Sequence, residues 1–172
     1  MKSLLFCLLL LTVAGVAQAQ VDLFSAARNG DLATLKQAHD AKANLDTTDA
    51  RGFTPLILAV YNNQPDAATY LLDAGASTAI ADGSGNTALM GACFRGYLPM
   101  VKLLLTHKAV INQVNRNGAS ALIFASTFGH ADIVRYLLEQ KADTSLHDSR
   151  GYTALDHARM QENPEIVALL EK

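Results

Sequence analysis

The chain has 172 residues, 50% of them hydrophobic, with 14 Lys and Arg against 16 Asp and Glu and a formal net charge of −2. That much apolar material suits one packed domain rather than a disordered chain, and the slightly acidic balance lacks the basic footprint of a nucleic-acid binder. Two cysteines and five histidines leave little for a disulfide framework or a metal cluster.

Residues 1–19 read as a secretory leader. Lys2 supplies a positive start, Leu4 to Ala14 is an apolar stretch broken only by Thr12, and Ala17-Gln18-Ala19 is a small-x-small cleavage site. The stretch is short of the roughly 20 apolar residues that a membrane-spanning helix needs. The processed chain is therefore expected to begin at Gln20. The lean positive start and the Ala-x-Ala end look bacterial, which makes the periplasm the expected compartment. Cys7 lies within the apolar stretch and leaves with it. Cys93 then stands alone, so the fold must rest on packing without an internal disulfide.

Beyond the leader, one period governs the chain. Gly52, Gly85, Gly118 and Gly151 are 33 residues apart. Thr54, Thr87, Ser120 and Thr153 keep the same step, as do Leu56, Leu89, Leu122 and Leu155, then Ala59, Ala92, Ala125 and Ala158. Each column answers a local requirement. Asp49, Asp82, Asn115 and Asp148 open a turn that the glycine completes. The hydroxyl residue caps a short helix, with Pro55 at its first position in one unit. Leu56 and Ala59 lie on one face of that helix. A second break, at Asn62-Asn63, Gly96 or Gly129, leads to a second helix with apolar residues at helical spacing, such as Met100, Val101, Leu104 and Leu105. That helix ends near Gly75-Ala76, Lys108-Ala109 or Lys141-Ala142.

The segment Gly52-Phe53-Thr54-Pro55-Leu56 with Ala59, and the run from Gly129 to Leu138, resemble the ankyrin repeat. The resemblance implies an all-α solenoid with β-hairpin turns, an array of about five repeats. An N-terminal cap is expected over 20–48, full repeats over 49–81, 82–114 and 115–147, and a closing repeat over 148–172. The family's usual histidine after Thr-Pro-Leu is replaced by Ile57, Met90, Ile123 and Asp156. That substitution questions the hydrogen bonds that link neighbouring first helices. The sequence also resembles small exported bacterial ankyrin proteins.

No nucleophile elbow, zinc-protease box, phosphate loop or Cys-x-x-Cys pair occurs. The five histidines fall at unrelated repeat positions, Cys93 reads as a small buried thiol, and neither a metal nor a cofactor is expected. The remote enzymatic reading is a hydrolytic site around Asp156 and His157. Consecutive helix residues point about 100° apart, and no nucleophile or oxyanion donor accompanies them.

What the resemblance does imply is binding through a concave face of hairpin tips and first-helix ends. The corresponding tip residues are Arg51, Phe53, Asn86, Arg116, Asn117, Arg150 and Tyr152. The helix-end residues are Tyr61, Phe94, Arg95 and Phe128. Five of the chain's seven arginines fall at such positions when Arg28 of the first repeat is included. Tyr and Arg are enriched in binding hot spots. The arginines ask for a protein partner with an acidic patch. A monomer is expected, with no nucleic-acid partner. Phe94 and Phe128 have a second reading, as packing between repeats. Two functional versions stay open: a helper of a periplasmic enzyme, such as the catalase with which some exported ankyrin proteins are associated, and an inhibitor or immunity protein against a toxin.

Overall fold

The computed structural model describes residues 23–172. The expected leader over 1–19, the start at Gln20 and the opening of the first repeat lie outside them. Ten helices follow in pairs. They are α1 (residues 23–29), α2 (Leu32–Asp40), α3 (Pro55–Tyr61), α4 (Pro65–Asp73), α5 (Ala88–Arg95), α6 (Leu98–Thr106), α7 (Ala121–Thr127), α8 (Ala131–Glu139), α9 (Ala154–Met160) and α10 (Pro164–Leu170). First helices stack on first helices, α3 on α5, α5 on α7 and α7 on α9. Second helices follow suit, α2 with α4, α6 with α8 and α8 with α10. The result is a helical solenoid.

The turn and cap columns explain where each pair begins. Asp49 Oδ1 accepts from the amides of Arg51 and Phe53 at 2.8 and 2.9 Å. Asp82 does the same for Ser84 and Asn86, and Asp148 for Arg150 and Tyr152. Asn115 serves Asn117 and Ala119 through its amide oxygen. The next residues in the column cap the first helices. Thr54, Thr87, Ser120 and Thr153 each accept from the amide three residues on, at 3.1–3.4 Å. A hydroxyl in this position satisfies an amide that the helix itself leaves unpaired.

The hairpins are shorter than β-hairpins proper. Each of three carries one isolated antiparallel bridge, Ala81 with Thr87, Val114 with Ser120 and His147 with Thr153. The chain passes directly from turn to helix cap, which leaves no length for strands. The tips are joined instead from repeat to repeat. The Gly83 amide donates to the Arg51 carbonyl at 2.8 Å, that of Arg116 to Ser84 at 3.1 Å and that of Ser149 to Asn117 at 2.7 Å. Gly52 is required by this stacking: its φ is +82°, and a Cβ there would meet the Gly83 nitrogen at 2.6 Å.

The core runs the length of the array. Leu56, Leu89 and Leu122 from the first helices, and Leu35, Leu71, Leu104 and Leu137 from the second, are essentially inaccessible. The first helices are buried more completely than a one-faced helix. All of Pro55–Val60 in α3 and Ala88–Cys93 in α5 is covered. α5 is flanked by α3 and α7 and by its own second helix α6, so little of its circumference is left to water. Ile57, Met90 and Ile123 lie within this core, so at those three positions neighbouring first helices meet through apolar contact. The closing repeat is thinner, since Leu155, Leu169 and Leu170 are only partly buried.

Candidate protein-binding face

The first-helix ends, with Phe53 from a hairpin tip, build a connected aromatic run across the stacked repeats. The Phe53 and Tyr61 ring centroids are 5.9 Å apart, Tyr61 and Phe94 6.3 Å, and Phe94 and Phe128 4.6 Å edge to face. Phe124 joins them, 6.5 Å from both Phe94 and Phe128. Such pairs add about 0.5–1.5 kcal/mol each beyond area burial, so the run partly holds itself in place. It is not consumed by packing: Phe94 is 36% and Phe128 47% exposed. Both readings of these two phenylalanines therefore have a basis, since they pack across repeats and still present apolar surface.

The arginines border this run. Arg51 lies over the Phe53 ring at 4.7 Å and stands 3.9 Å from Asp49. Arg95 lies over Tyr97 at 5.5 Å and donates to its hydroxyl at 3.0 Å. Arg150 lies over Tyr152 at 5.2 Å and pairs with Asp148 at 3.3 Å. A guanidinium over an aromatic face keeps its remaining N–H groups for other partners; one nitrogen of Arg95 already donates to Tyr97 and one of Arg150 to Asp148. Two clefts of about 360 Å³ each open along the face. One is lined by Arg28, Arg51, Phe53, Tyr61, Asn62 and Arg95. The other is lined by Asn117, Phe124, Phe128, Arg150 and His157, among others.

Not every residue singled out in the sequence joins these clefts. Asn86 is half-buried and turned to its neighbours: its amide donates to Asp82 at 3.2 Å, and its oxygen accepts from Asn115 at 2.8 Å. Arg116 is exposed at its tip and lines neither cleft. Tyr152 is 39% exposed and meets His157 edge to face.

Other residues were missed. Leu58, Gly91, Phe124 and His157 form one 33-residue column, and it supplies the floor of the face. Gly91 is small because the Tyr61 ring lies against it, where a Cβ would meet Cε2 at 2.6 Å. The variability of this column was its only signal.

His157 is buried, and its Nε2 sits 3.0 Å from Asp148 Oδ2. Burial alone would raise the Asp148 carboxyl. The Tyr152 amide, His157, and the Arg150 amide and guanidinium outweigh it and bring the group down to about 2. Asp156 turns away to a capping box, accepting from the Thr153 amide at 2.9 Å and hydroxyl at 2.7 Å. The Asp156–His157 pair therefore does not converge on one point. Burial pushes the Cys93 thiol up, which disfavours the reactive thiolate. Among the described residues no group of three or more His, Cys, Asp or Glu is placed to hold a metal ion, and no helix is long and apolar enough to cross a membrane.

A stack of helix pairs with a tip-and-helix-end face defines a repeat solenoid built for contact with other molecules. A family model described as ankyrin repeats (3 copies) matches residues 23–115 and again 107–172. The chain belongs to the ankyrin repeat family. Proteins of this family are in general protein–protein interaction scaffolds, typically without enzymatic activity. No curated protein matches the chain.

Proposed function

We propose that this protein is a non-enzymatic scaffold, exported to the periplasm, that holds another protein on the face formed by Arg51, Phe53, Tyr61, Phe94, Arg95 and Phe128. The observation that carries the reading is the aromatic run bordered by arginines. Large flat side chains and guanidinium groups dominate interface energetics because they combine area with directional polar contact. The periplasm rests on the leader read over residues 1–19. The helper role toward an enzyme such as a catalase rests on the likeness to small exported bacterial ankyrin proteins.

The test is affinity capture from periplasmic extract with the wild-type protein, Phe94→Ala/Phe128→Ala and Lys102→Ala. Lys102 lies on α6, where its ammonium sits over the Tyr136 ring at 5.3 Å. A partner held by wild type and Lys102→Ala but lost with the phenylalanine variant supports the face. Equal retention by all three overturns it. Adding the scaffold to the captured partner then separates a helper, which preserves or raises its activity, from an inhibitor, which abolishes it.

A further inference from the structure

We propose that Arg28, Arg51 and Arg95 form one carboxylate-binding cleft, which receives the acidic end of a partner segment whose apolar end seats on Phe94 and Phe128. This inference rests on the binding-face reading and specifies what the face recognises. The three arginines come from three successive helix pairs: the end of α1, the tip before α3 and the end of α5. They are far apart in sequence, yet they line a single cleft of about 360 Å³. No carboxylate lines that cleft. Asp49 accepts two backbone amides through Oδ1, and its Oδ2 stands 3.9 Å from Arg51 Nε. Among the described residues, Arg28 and Arg95 pair with no carboxylate. Of the three, only Arg51 has a carboxylate within 4 Å among the described residues; gathered cations repel one another, and an anionic ligand relieves that repulsion.

The chemistry of the walls narrows the ligand. Arg51 lies over Phe53 and Arg95 over Tyr97, and guanidinium forks meet carboxylates with paired N–H bonds. Tyr61 is half-buried. Burial and the charge of Asp82 push its hydroxyl up against the opposing pull of Arg95, so it remains a neutral donor at the cleft. The cleft continues into the aromatic run through Tyr61 and Phe94. A ligand that uses both must join carboxylates to apolar side chains, as an acidic protein segment does. The chain's own net charge of −2 disfavours a long polyanion.

Spacing follows from the stack. Neighbouring helices pack roughly 8–10 Å apart, and an extended peptide advances about 3.3 Å per residue. An acidic residue in the cleft and an apolar residue on Phe94 and Phe128 should therefore be about three positions apart.

A displayed random-peptide library panned on the full chain tests this. Enriched sequences should carry Asp or Glu about three residues from a large apolar residue. A synthetic peptide of the enriched sequence should lose about thirtyfold in affinity with each of Arg28→Gln, Arg51→Gln and Arg95→Gln, the size of an interface hot spot. It should bind normally to Arg135→Gln, whose side chain pairs with Glu165 on α10. Melting curves confirm that the exposed substitutions leave the fold intact.

Several outcomes overturn the cleft. Enriched peptides without acidic residues that still require Phe94 and Phe128 would refute it and leave the face standing. Displacement of the peptide by millimolar inorganic phosphate, but not by millimolar glutarate, would assign the site to phosphate. Binding that ignores both the arginines and the phenylalanines, or no enrichment at all, would remove the face as well.

Discussion

Ser126 is fully buried in α7, and its hydroxyl finds no hydrogen-bond partner. The same column holds the buried Val60 and Cys93 in the preceding repeats and Arg159 in the last. An unpaired buried hydroxyl costs roughly 1–3 kcal/mol, and alanine is also the better helix former. Ser126→Ala should therefore stabilise the protein by about 1 kcal/mol in chemical denaturation. A loss of stability would mean that the hydroxyl holds a buried water. Asp148 makes a second residue-scale case. It caps the last hairpin and holds His157, and its carboxyl lies at about 2 against an ordinary 3.8. A lowered carboxyl contributes stability that is present above the ordinary value and is lost as pH falls toward the folded value. The wild type should therefore lose this contribution between about pH 5 and 2. Asn115 demonstrates that an amide oxygen can serve the turn, accepting two amides at 2.9 Å each. Asp148→Asn should keep the hairpin, lower stability at pH 7 and flatten the acid limb. Urea midpoints measured across that range decide it; parallel curves for the two proteins would place the acid sensitivity elsewhere.

At the scale of the helix pair, most of the fold was legible because each column meets a requirement that local chemistry can satisfy alone. Aspartate with glycine makes the turn, a hydroxyl makes the cap, and leucine with alanine makes the stacked surface. The extent of burial was less legible. Leu56 and Ala59 mark one face of α3, but the structure covers nearly the whole helix. No residue type announces that a helix will be enclosed on three sides; that follows from stacking. The ends of the array bear on the same point, since a terminal pair has one neighbour instead of two. Leu104, in α6, is inaccessible, while Leu170 at the end of α10 is partly exposed. Leu104→Ala should cost roughly 2–5 kcal/mol, as buried large-to-small changes do. Leu170→Ala should cost distinctly less, because its site can fray without opening a cavity. Denaturant midpoints of the two variants give the order, and a larger loss at Leu170 would mean that α10 holds the array together.

For the molecule as a whole, the binding face and the core share the same first helices. That is why the face was only half visible in the sequence. Phe94 and Phe128 stood out through register, whereas Gly91 and Phe124 sit mid-helix in a column whose residue types give no sign of pointing outward. Their role emerges when α5 is placed between α3 and α7. Gly91 tests the coupling directly. A methyl group there would meet the Tyr61 ring at 2.6 Å, so the ring must swing away. Tyr61 bridges Phe53 and Phe94, and moving it breaks the aromatic run between the arginine cleft and the exposed phenylalanines. Stability responds to two opposing terms. Alanine gains about 1 kcal/mol of helix propensity over glycine, and the two displaced aromatic pairs lose about 1–3 kcal/mol. Gly91→Ala should therefore lose at most about 2 kcal/mol of stability while binding its partner about thirtyfold more weakly, the loss expected when one hot-spot side chain is misplaced. Melting curves and a binding titration on the same sample separate the terms. Unchanged affinity would show that the partner does not span the two halves of the face, and that cleft and phenylalanines act as independent sites.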